Sequence, residues 1–160
     1  MKQFLTKYKY VFVAIALVAV IATVIICYTK KSSLKETIIG NADFGGEAAL
    51  VSVEKMIIGD MQTINVDPSS DNYQRLVDAI NNTKIRFIKS TSEGIKIEDA
   101  VYTLQVRMGA SSGNYDQSED FEAISVSVNS LGELLINETE KMYQIDDGTE
   151  LFDAMADFFE

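Results

Sequence analysis

Residues 124–145 read ISVSVNSLGELLINETEKMYQI. The first six of them alternate Ile or Val with Ser or Asn, the period-two pattern of a strand with one buried face, so the serines are expected to face solvent. Residues 129–132 end in glycine and form a turn signal, and aliphatic residues return twice more before residue 146. This run therefore predicts three consecutive antiparallel strands, a β-meander.

Strand patterns also precede the meander. Residues 101–108, VYTLQVRM, alternate large apolar residues with shorter or polar ones, which predicts another half-buried strand. Residues 84–89, KIRFIK, contain apolar residues interspersed with basic ones, which predicts a shorter strand. Residues 51–66 contain two apolar runs on either side of the turn signal Gly59-Asp60, and this arrangement predicts a β-hairpin.

Two helices are predicted within the same region. Residues 67–70, DPSS, supply helix-start chemistry, and the apolar residues that follow recur at helical spacing over about twelve residues up to Asn81-Asn82. Near the C-terminus, Thr149 is expected to cap a helix whose apolar face includes Phe158 and Phe159. The fold class is therefore α+β, a mostly antiparallel sheet with two helices packed on one face, and its length suffices to bury about two-thirds of the unfolded surface.

A continuous apolar run lies near the N-terminus. Residues 11–28, VFVAIALVAVIATVIICY, contain no charge, Gly or Pro, and as a helix they would cover about 27 Å, close to the ~30 Å hydrocarbon core of a bilayer. Lysines flank the run on both sides. A cleaved signal peptide or lipidation at Cys27 are the alternatives, but bulky residues such as Ile26 stand where small ones are needed. The run predicts an uncleaved transmembrane anchor that contacts the lipid bilayer.

The charge distribution gives a predicted topology and domain map. A short N-terminal tail with three lysines favours a cytoplasmic N-terminus, so the bulk of the chain is expected outside the cytoplasm, at the cell membrane. The predicted map is a cytoplasmic tail at residues 1–10, an anchor at 11–28, a glycine-containing tether at 29–47 and an extracytoplasmic α+β domain at 48–160. Within the tether, a short strand at Ile38 and Ile39 that pairs with the domain is the alternative.

Composition excludes several classes of function. The chain has no His and one Cys, which removes His-based acid–base catalysis, Cys/His pairs and structural zinc. Residues 32–160 hold nine basic and 24 acidic residues, a net charge of −15, which argues against nucleic acid as a partner. We therefore expect a non-enzymatic protein without a cofactor. Calcium binding by the acidic loops around Asp116 and Asp146 stays open, although the EF-hand spacing is absent.

The anchor, the helix that ends in LVDAINNTK (residues 76–84) and the hairpin run at 124–145 resemble a known architecture. The layout is similar to that of small extracytoplasmic α+β domains in uncharacterised single-pass membrane proteins and lipoproteins of Gram-positive bacteria. The resemblance lies in the pattern of strands and turns. It implies a binding or regulatory role rather than catalysis, and it carries over no functional residue.

The strongly acidic domain predicts a cationic partner, because opposite charge accelerates encounter. The expected function is a membrane-anchored extracytoplasmic binding or regulatory module that recognises a protein or a cationic peptide. The alternative is a structural or accessory subunit of a membrane or envelope complex. The candidate contact surface is the loop at residues 109–122, in which aromatic residues lie among acids. Its candidate contact residues are Tyr115, Asp116, Glu119, Asp120, Phe121 and Glu122.

Overall fold

The structure is a computed structural model that describes residues 2–109, 123–146 and 148–160, with the side chains of residues 2–7, 9, 10, 27 and 28 outside the description. The chain divides into two compact units, Met1–Lys30 and Lys31–Glu160. Helix α1 (Lys2–Thr29) is in the first unit. The second contains β1 (Lys31–Ser33), α2 (Leu34–Ile39), β2 (Ala48–Ile57), β3 (Asp60–Asn65), α3 (Asp71–Asn82), β4 (Lys84–Ser90), β5 (Val101–Met108), β6 (Ala123–Asn129), β7 (Glu133–Ile136), β8 (Lys141–Ile145) and α4 (Glu150–Ala156).

Helix α1 carries an exposed apolar surface. All sixteen residues from 11 to 26 are exposed, and Val18 retains 65% of its accessible surface. Among the residues whose side chains are described, no helix combines the length and the hydropathy that crossing a membrane requires. The membrane span predicted over residues 11–28 is therefore not confirmed, and the side chain of Cys27 lies outside the description.

The second unit is built on one eight-stranded sheet with the order β1-β4-β8-β7-β6-β5-β2-β3. All neighbouring strands are antiparallel, which confirms the predicted meander β6-β7-β8 and the predicted hairpin β2-β3. The hairpin turns at Gly59, whose φ of +88° lies in the left-handed region that glycine adopts without a steric penalty. The α+β class with a mostly antiparallel sheet is confirmed.

Three helices cover one face of the sheet, which we call the inner face. Strand residues such as Leu104, Val126 and Leu134 pack there in a single core cluster with the buried residues of α2, α3 and α4. Helix α3 begins where the sequence predicted, because the Ser70 side chain accepts a hydrogen bond from the Tyr73 backbone N–H at 3.2 Å. Aromatic packing of Tyr102 against Phe152 closes the core beneath α4.

The predicted tether at residues 29–47 needs correction. Residues 31–33 form β1, which pairs with β4, and α2 follows directly. Leu34, Ile38 and Ile39 are 0–5% exposed and belong to the core. The segment folds because these apolar residues sit on one side of a short helix that packs against the sheet. The folded unit therefore begins at Lys31 rather than at residue 48, and its described residues include three packed helices, whereas the sequence predicted two.

Two finer predictions also differ from the structure. Thr149 precedes α4, but its hydroxyl bonds the Asp153 carboxylate at 2.7 Å rather than a backbone N–H, so it does not cap the helix through its side chain. Ser127 was expected to face solvent and is only 6% exposed. It lies on the face of the sheet opposite the helices, and part of that face is covered, as described next.

Candidate functional site

The second face of the sheet, the outer face, carries a row of hydroxyl and amide side chains. The register places Glu54 beside Thr103 and Thr103 beside Ser127, so β2, β5 and β6 each contribute one polar residue to the same row. Thr103 Oγ1 and Ser127 Oγ share a hydrogen bond of 2.9 Å. A second bond of 2.9 Å joins Ser125 Oγ to Gln105 Oε1 one step along the strands. These bonds hold the polar row in a fixed arrangement.

A segment without regular secondary structure, residues 91–100, crosses part of the outer face, and we call it the strap. Its first residue donates a backbone hydrogen bond of 2.8 Å from Thr91 N to Glu140 O. Further along, Asn129 Nδ2 donates to Lys96 O at 3.2 Å. Three apolar outer-face residues outside the helix-covered core are also buried, which indicates that the strap covers them: Val101, Leu135 and Met142.

Asn129 connects the strap to the turn between β6 and β7. Its side chain is 1% exposed, and its Oδ1 atom accepts hydrogen bonds from the backbone N–H groups of Leu131 and Glu133 at 3.1 and 2.9 Å. Its Nδ2 group donates to the Glu133 carboxylate at 2.9 Å as well as to the strap. A buried amide with all these partners positions the strap against the sheet.

A crevice of about 440 Å³ opens between the strap and the polar row. Its apolar lining includes Met56, Ile97 and Leu135, and its polar lining includes the Thr103–Ser127 pair. Concave sites with mostly apolar walls and a few fixed polar groups are typical of ligand-binding sites. The crevice is thus the candidate functional site of the folded unit.

Glu54 determines the charge of the crevice. Among the described residues that line it, Glu54 is the one charged side chain, and within the described part of the chain no hydrogen bond or ion pair engages its carboxylate. The neighbouring Lys55 points to the opposite face, where its Nζ lies 5.7 Å from the ring centre of Phe159. A half-buried carboxylate that no described residue pairs with attracts a positively charged ligand group.

A second depression lies between α3 and α4 and is less suited to a ligand. It measures about 300 Å³ and is lined by Arg75, Asp78 and other polar residues. Arg75 is already paired with Asp157, and Gln74 bonds Asp78 at 2.9 Å. The Arg75–Asp157 pair links α3 to the segment that follows α4, whereas the Gln74–Asp78 bond lies within α3. Arg75 and Asp78, which line this depression, therefore already have partners.

Among the described residues that line the crevice, no nucleophile stands beside a His or Lys base. The Thr103 and Ser127 hydroxyls bond each other, and neither a His nor a lining Lys stands beside them to act as a base. Across the described ranges, no three His, Cys, Asp or Glu side chains converge as a metal site would require. The described residues that line the crevice therefore offer hydrogen-bonding, apolar and charged contacts to a ligand.

The contact loop predicted from the sequence lies outside the described residues. This applies to all six candidate contact residues, Tyr115, Asp116, Glu119, Asp120, Phe121 and Glu122, so their role stays a prediction. The second acidic stretch is described in part. There Asp146 lies 3.3 Å from Lys31 Nζ and 3.6 Å from Arg86 Nη2, an arrangement that joins β1, β4 and the end of β8.

Sequence reasoning did not identify the crevice. Glu54, Thr103 and Ser127 are separated by 24 or more positions, and only the strand register brings them to one row. A usable signal was present, since β2, β5 and β6 each place Ser, Thr, Gln or Glu at alternate positions. No family model, curated protein or solved structure matches the chain. The function is therefore derived from the geometry and charge of the site.

Proposed function

We propose that this protein is a membrane-anchored, extracytoplasmic, non-catalytic binding module that recognises a cationic peptide or a cationic segment of a protein. The observation that carries this proposal is the crevice beneath the strap, in which Glu54 supplies the charge and aliphatic side chains supply the contact area. A lysine or arginine side chain combines a cationic head with an apolar stem, and it therefore matches both parts of the lining.

The charge of the whole folded unit supports the same class of partner. The net charge of −15 over residues 32–160 favours the approach of a cation from long range and repels an anionic one. Long-range attraction raises the rate of encounter, whereas the crevice supplies the specific contacts. The absence of histidine from the sequence and the mutual pairing of the crevice hydroxyls support binding rather than catalysis.

The membrane anchor in this proposal is supported by the sequence and by the exposure of α1. An exposed apolar surface of this size requires a covering in water, and a lipid bilayer supplies one. The eighteen uncharged residues at 11–28 would cover about 27 Å, and lysines at residues 2, 7, 9, 30 and 31 flank them. The three lysines of the N-terminal tail favour a cytoplasmic N-terminus.

The binding proposal is tested by removing the crevice charge. In the full chain purified in mild detergent, Glu54→Gln should weaken binding of a fluorescent lysine-rich peptide by about ten-fold, the size expected for one charge-assisted hydrogen bond. Glu36→Gln is the matched control, because Glu36 is an exposed residue of α2, on the helix-covered side of the sheet. Equal affinity of the two variants would remove the crevice as the binding site.

The location is tested separately on intact cells. A protease added outside should digest a C-terminal tag without lysis if the folded unit is extracytoplasmic. Protection of the tag until the cells are lysed would place the unit in the cytoplasm and reverse the proposed topology. A cytoplasmic reporter protein that stays intact throughout is the control for cell integrity.

A further inference from the structure

The two edges of the sheet are protected to different degrees. At one edge, β1 has three residues and begins with Lys31, which forms an ion pair with Asp146. At the other edge, β3 has six residues in unbroken register with β2, and it contains no proline and no basic residue. Natural edge strands are usually short, bulged or blocked by lysine or proline, because an open edge pairs with other chains. In the described part of the chain, strand β3 has none of these protections.

The free side of β3 can be assigned from its pairing with β2. Val66 N donates to Val51 O at 2.9 Å, so this directly opposed pair is a hydrogen-bonded one. In an antiparallel ladder the hydrogen-bonded pairs alternate with pairs whose backbone groups point outward. The residues with outward N–H and C=O groups are therefore Met61, Thr63 and Asn65, and each of them is exposed. They present a template for one further strand.

Apolar side chains are exposed beside this template. Ile58 retains 83% of its accessible surface and Met61 retains 60%. Together with Met56 and Ile97 they border an open depression of about 460 Å³ at the tip of the β2-β3 hairpin. In recognition by strand addition, main-chain hydrogen bonds supply affinity and side-chain depressions of this kind supply specificity.

The charge around β3 favours a cationic segment as the strand that pairs with it. Between Lys55, which pairs with Gln62 from the neighbouring strand, and Arg75 the chain has no basic residue. Asp60 begins β3, and Asp67 lies two residues after its end. Hydrogen bonds from the Ser69 backbone N–H and hydroxyl to Asp67 lower the pKa of its carboxyl group, which keeps it ionised. A second copy of this chain would bring another strongly acidic unit to the same edge, whereas a cationic segment is attracted to it.

We propose that an extended cationic peptide segment adds to the free edge of β3 as a further strand, with an apolar side chain in the depression at Met61 and basic side chains near Asp60 and Asp67. This inference rests on the proposed function and specifies how its partner binds. The added strand lies next to the outer-face row, because Thr63 pairs directly with Glu54. The edge and the crevice thus form one continuous recognition surface.

Backbone substitution provides the direct test. The probe is a fluorescein-labelled peptide of alternating valine and lysine, and its anisotropy is measured with the full chain in mild detergent. Thr63→Pro removes an outward N–H without breaking a bond to β2, and proline is tolerated on a free edge. The dissociation constant of the peptide should rise at least ten-fold for Thr63→Pro. For Thr63→Val, which keeps the backbone donor, it should stay within two-fold of the wild-type value. Equal affinity of the two variants would overturn strand addition.

A second probe decides the question even if Thr63→Pro fails to fold. Two forms of the peptide are N-methylated at alternate residues, one on the valine nitrogens and one on the lysine nitrogens. Only one edge of the peptide can face β3, so one form should lose at least ten-fold in affinity and the other should bind nearly as well as the parent. Equal affinity of the two methylated forms would overturn the proposal.

The remaining outcomes separate this inference from the proposed function. A peptide of alternating valine and glutamate should bind at least ten-fold more weakly, and equal binding of that peptide would overturn the cationic preference. If Glu54→Gln weakens binding while the Thr63 variants and methylated peptides behave alike, the crevice function stands and strand addition fails. If the lysine peptide does not bind the wild-type chain, both fail.

Discussion

The inner and outer faces of the sheet use the same strands for different purposes. On the inner face, Leu104, Val126 and Leu134 are at most 1% exposed beneath three helices. On the outer face, the neighbouring residues Thr103 and Ser127 are nearly as buried but bond each other, and among the described residues the irregular strap lies over part of this face. Burial alone therefore does not identify the core of this sheet. The inner face stabilises the fold, and the outer face carries fixed polar groups that the proposed binding function uses.

The largest expected effect concerns the N-terminal contribution to the inner face. Removal of residues 31–44 takes away Leu34, Ile38 and Ile39, each of which contributes about 1.5–3 kcal/mol by burial. Their sum is comparable to the total stability of about 5–15 kcal/mol that a domain of this size has. A chain that starts at residue 45 should therefore show no cooperative urea unfolding, whereas one that starts at Lys31 should unfold cooperatively. Similar urea unfolding transitions in both chains would show that residues 31–44 are a tether, as the sequence predicted.

Adjacent residues of β5 test the two faces against each other. Leu104→Ala should lower the free energy of unfolding by about 2–5 kcal/mol, because it leaves a cavity beneath the helices. Thr103→Val keeps the side-chain volume but leaves the Ser127 hydroxyl without its partner, at a cost of about 1–3 kcal/mol. Urea denaturation of both variants measures the difference. A larger loss for Thr103→Val would show that the outer face contributes more to stability than the inner one.

The smallest expected effects are dependences on pH. Burial on the inner face raises the pKa of Tyr143 above the ordinary value of 10.0. The unfolded chain then releases the phenol proton at a lower pH than the folded chain. The contribution of this group to the free energy of unfolding is therefore constant up to about pH 10 and falls as the pH rises through the folded pKa. Tyr143→Phe should flatten this alkaline slope in melting experiments. An unchanged slope would mean that another group causes it.

Asp67, near the exposed edge of the sheet, contributes a pH dependence of stability with the opposite sign. Hydrogen bonds from Ser69 lower the pKa of Asp67 below 3.8, so its stabilising contribution is present above that pH and is lost as the pH falls through the folded pKa. Asp67→Asn should reduce the acid-side slope of stability slightly, because the group is fully exposed. A large change in melting temperature at neutral pH would contradict an effect confined to the local turn.

Elements governed by local signals could be predicted from the sequence. The β2-β3 hairpin, α3 with its Ser70 cap and the meander β6-β7-β8 all follow from short-range periodicity and turn residues. The tether prediction failed because Gly40, Gly45 and Gly46 suggested a flexible coil, whereas Leu34, Ile38 and Ile39 bury themselves only against strands that come later in the chain. Such long-range packing leaves little trace in local sequence.

The candidate site required information that periodicity does not contain. The alternation of Ser125 and Ser127 with aliphatic residues correctly predicted that the serines lie opposite the core. It did not predict that the strap would cover that side, because residues 91–100 have no period and are held by single hydrogen bonds to Asn129 and Glu140. Register between distant strands, and the path of an irregular segment, are properties of the assembled sheet.

The short strand β1 also determines how the folded unit responds to mechanical force. The chain enters the unit at Lys31, and β1 pairs with β4 over only three residues, supported by the ion pair between Lys31 and Asp146. Tension transmitted along the chain from its N-terminal side therefore acts first on this small junction, while the strands at the centre of the sheet bear it later. Under such tension we expect β1 to detach from β4 before the proposed recognition surface at β2 and β3 is disturbed.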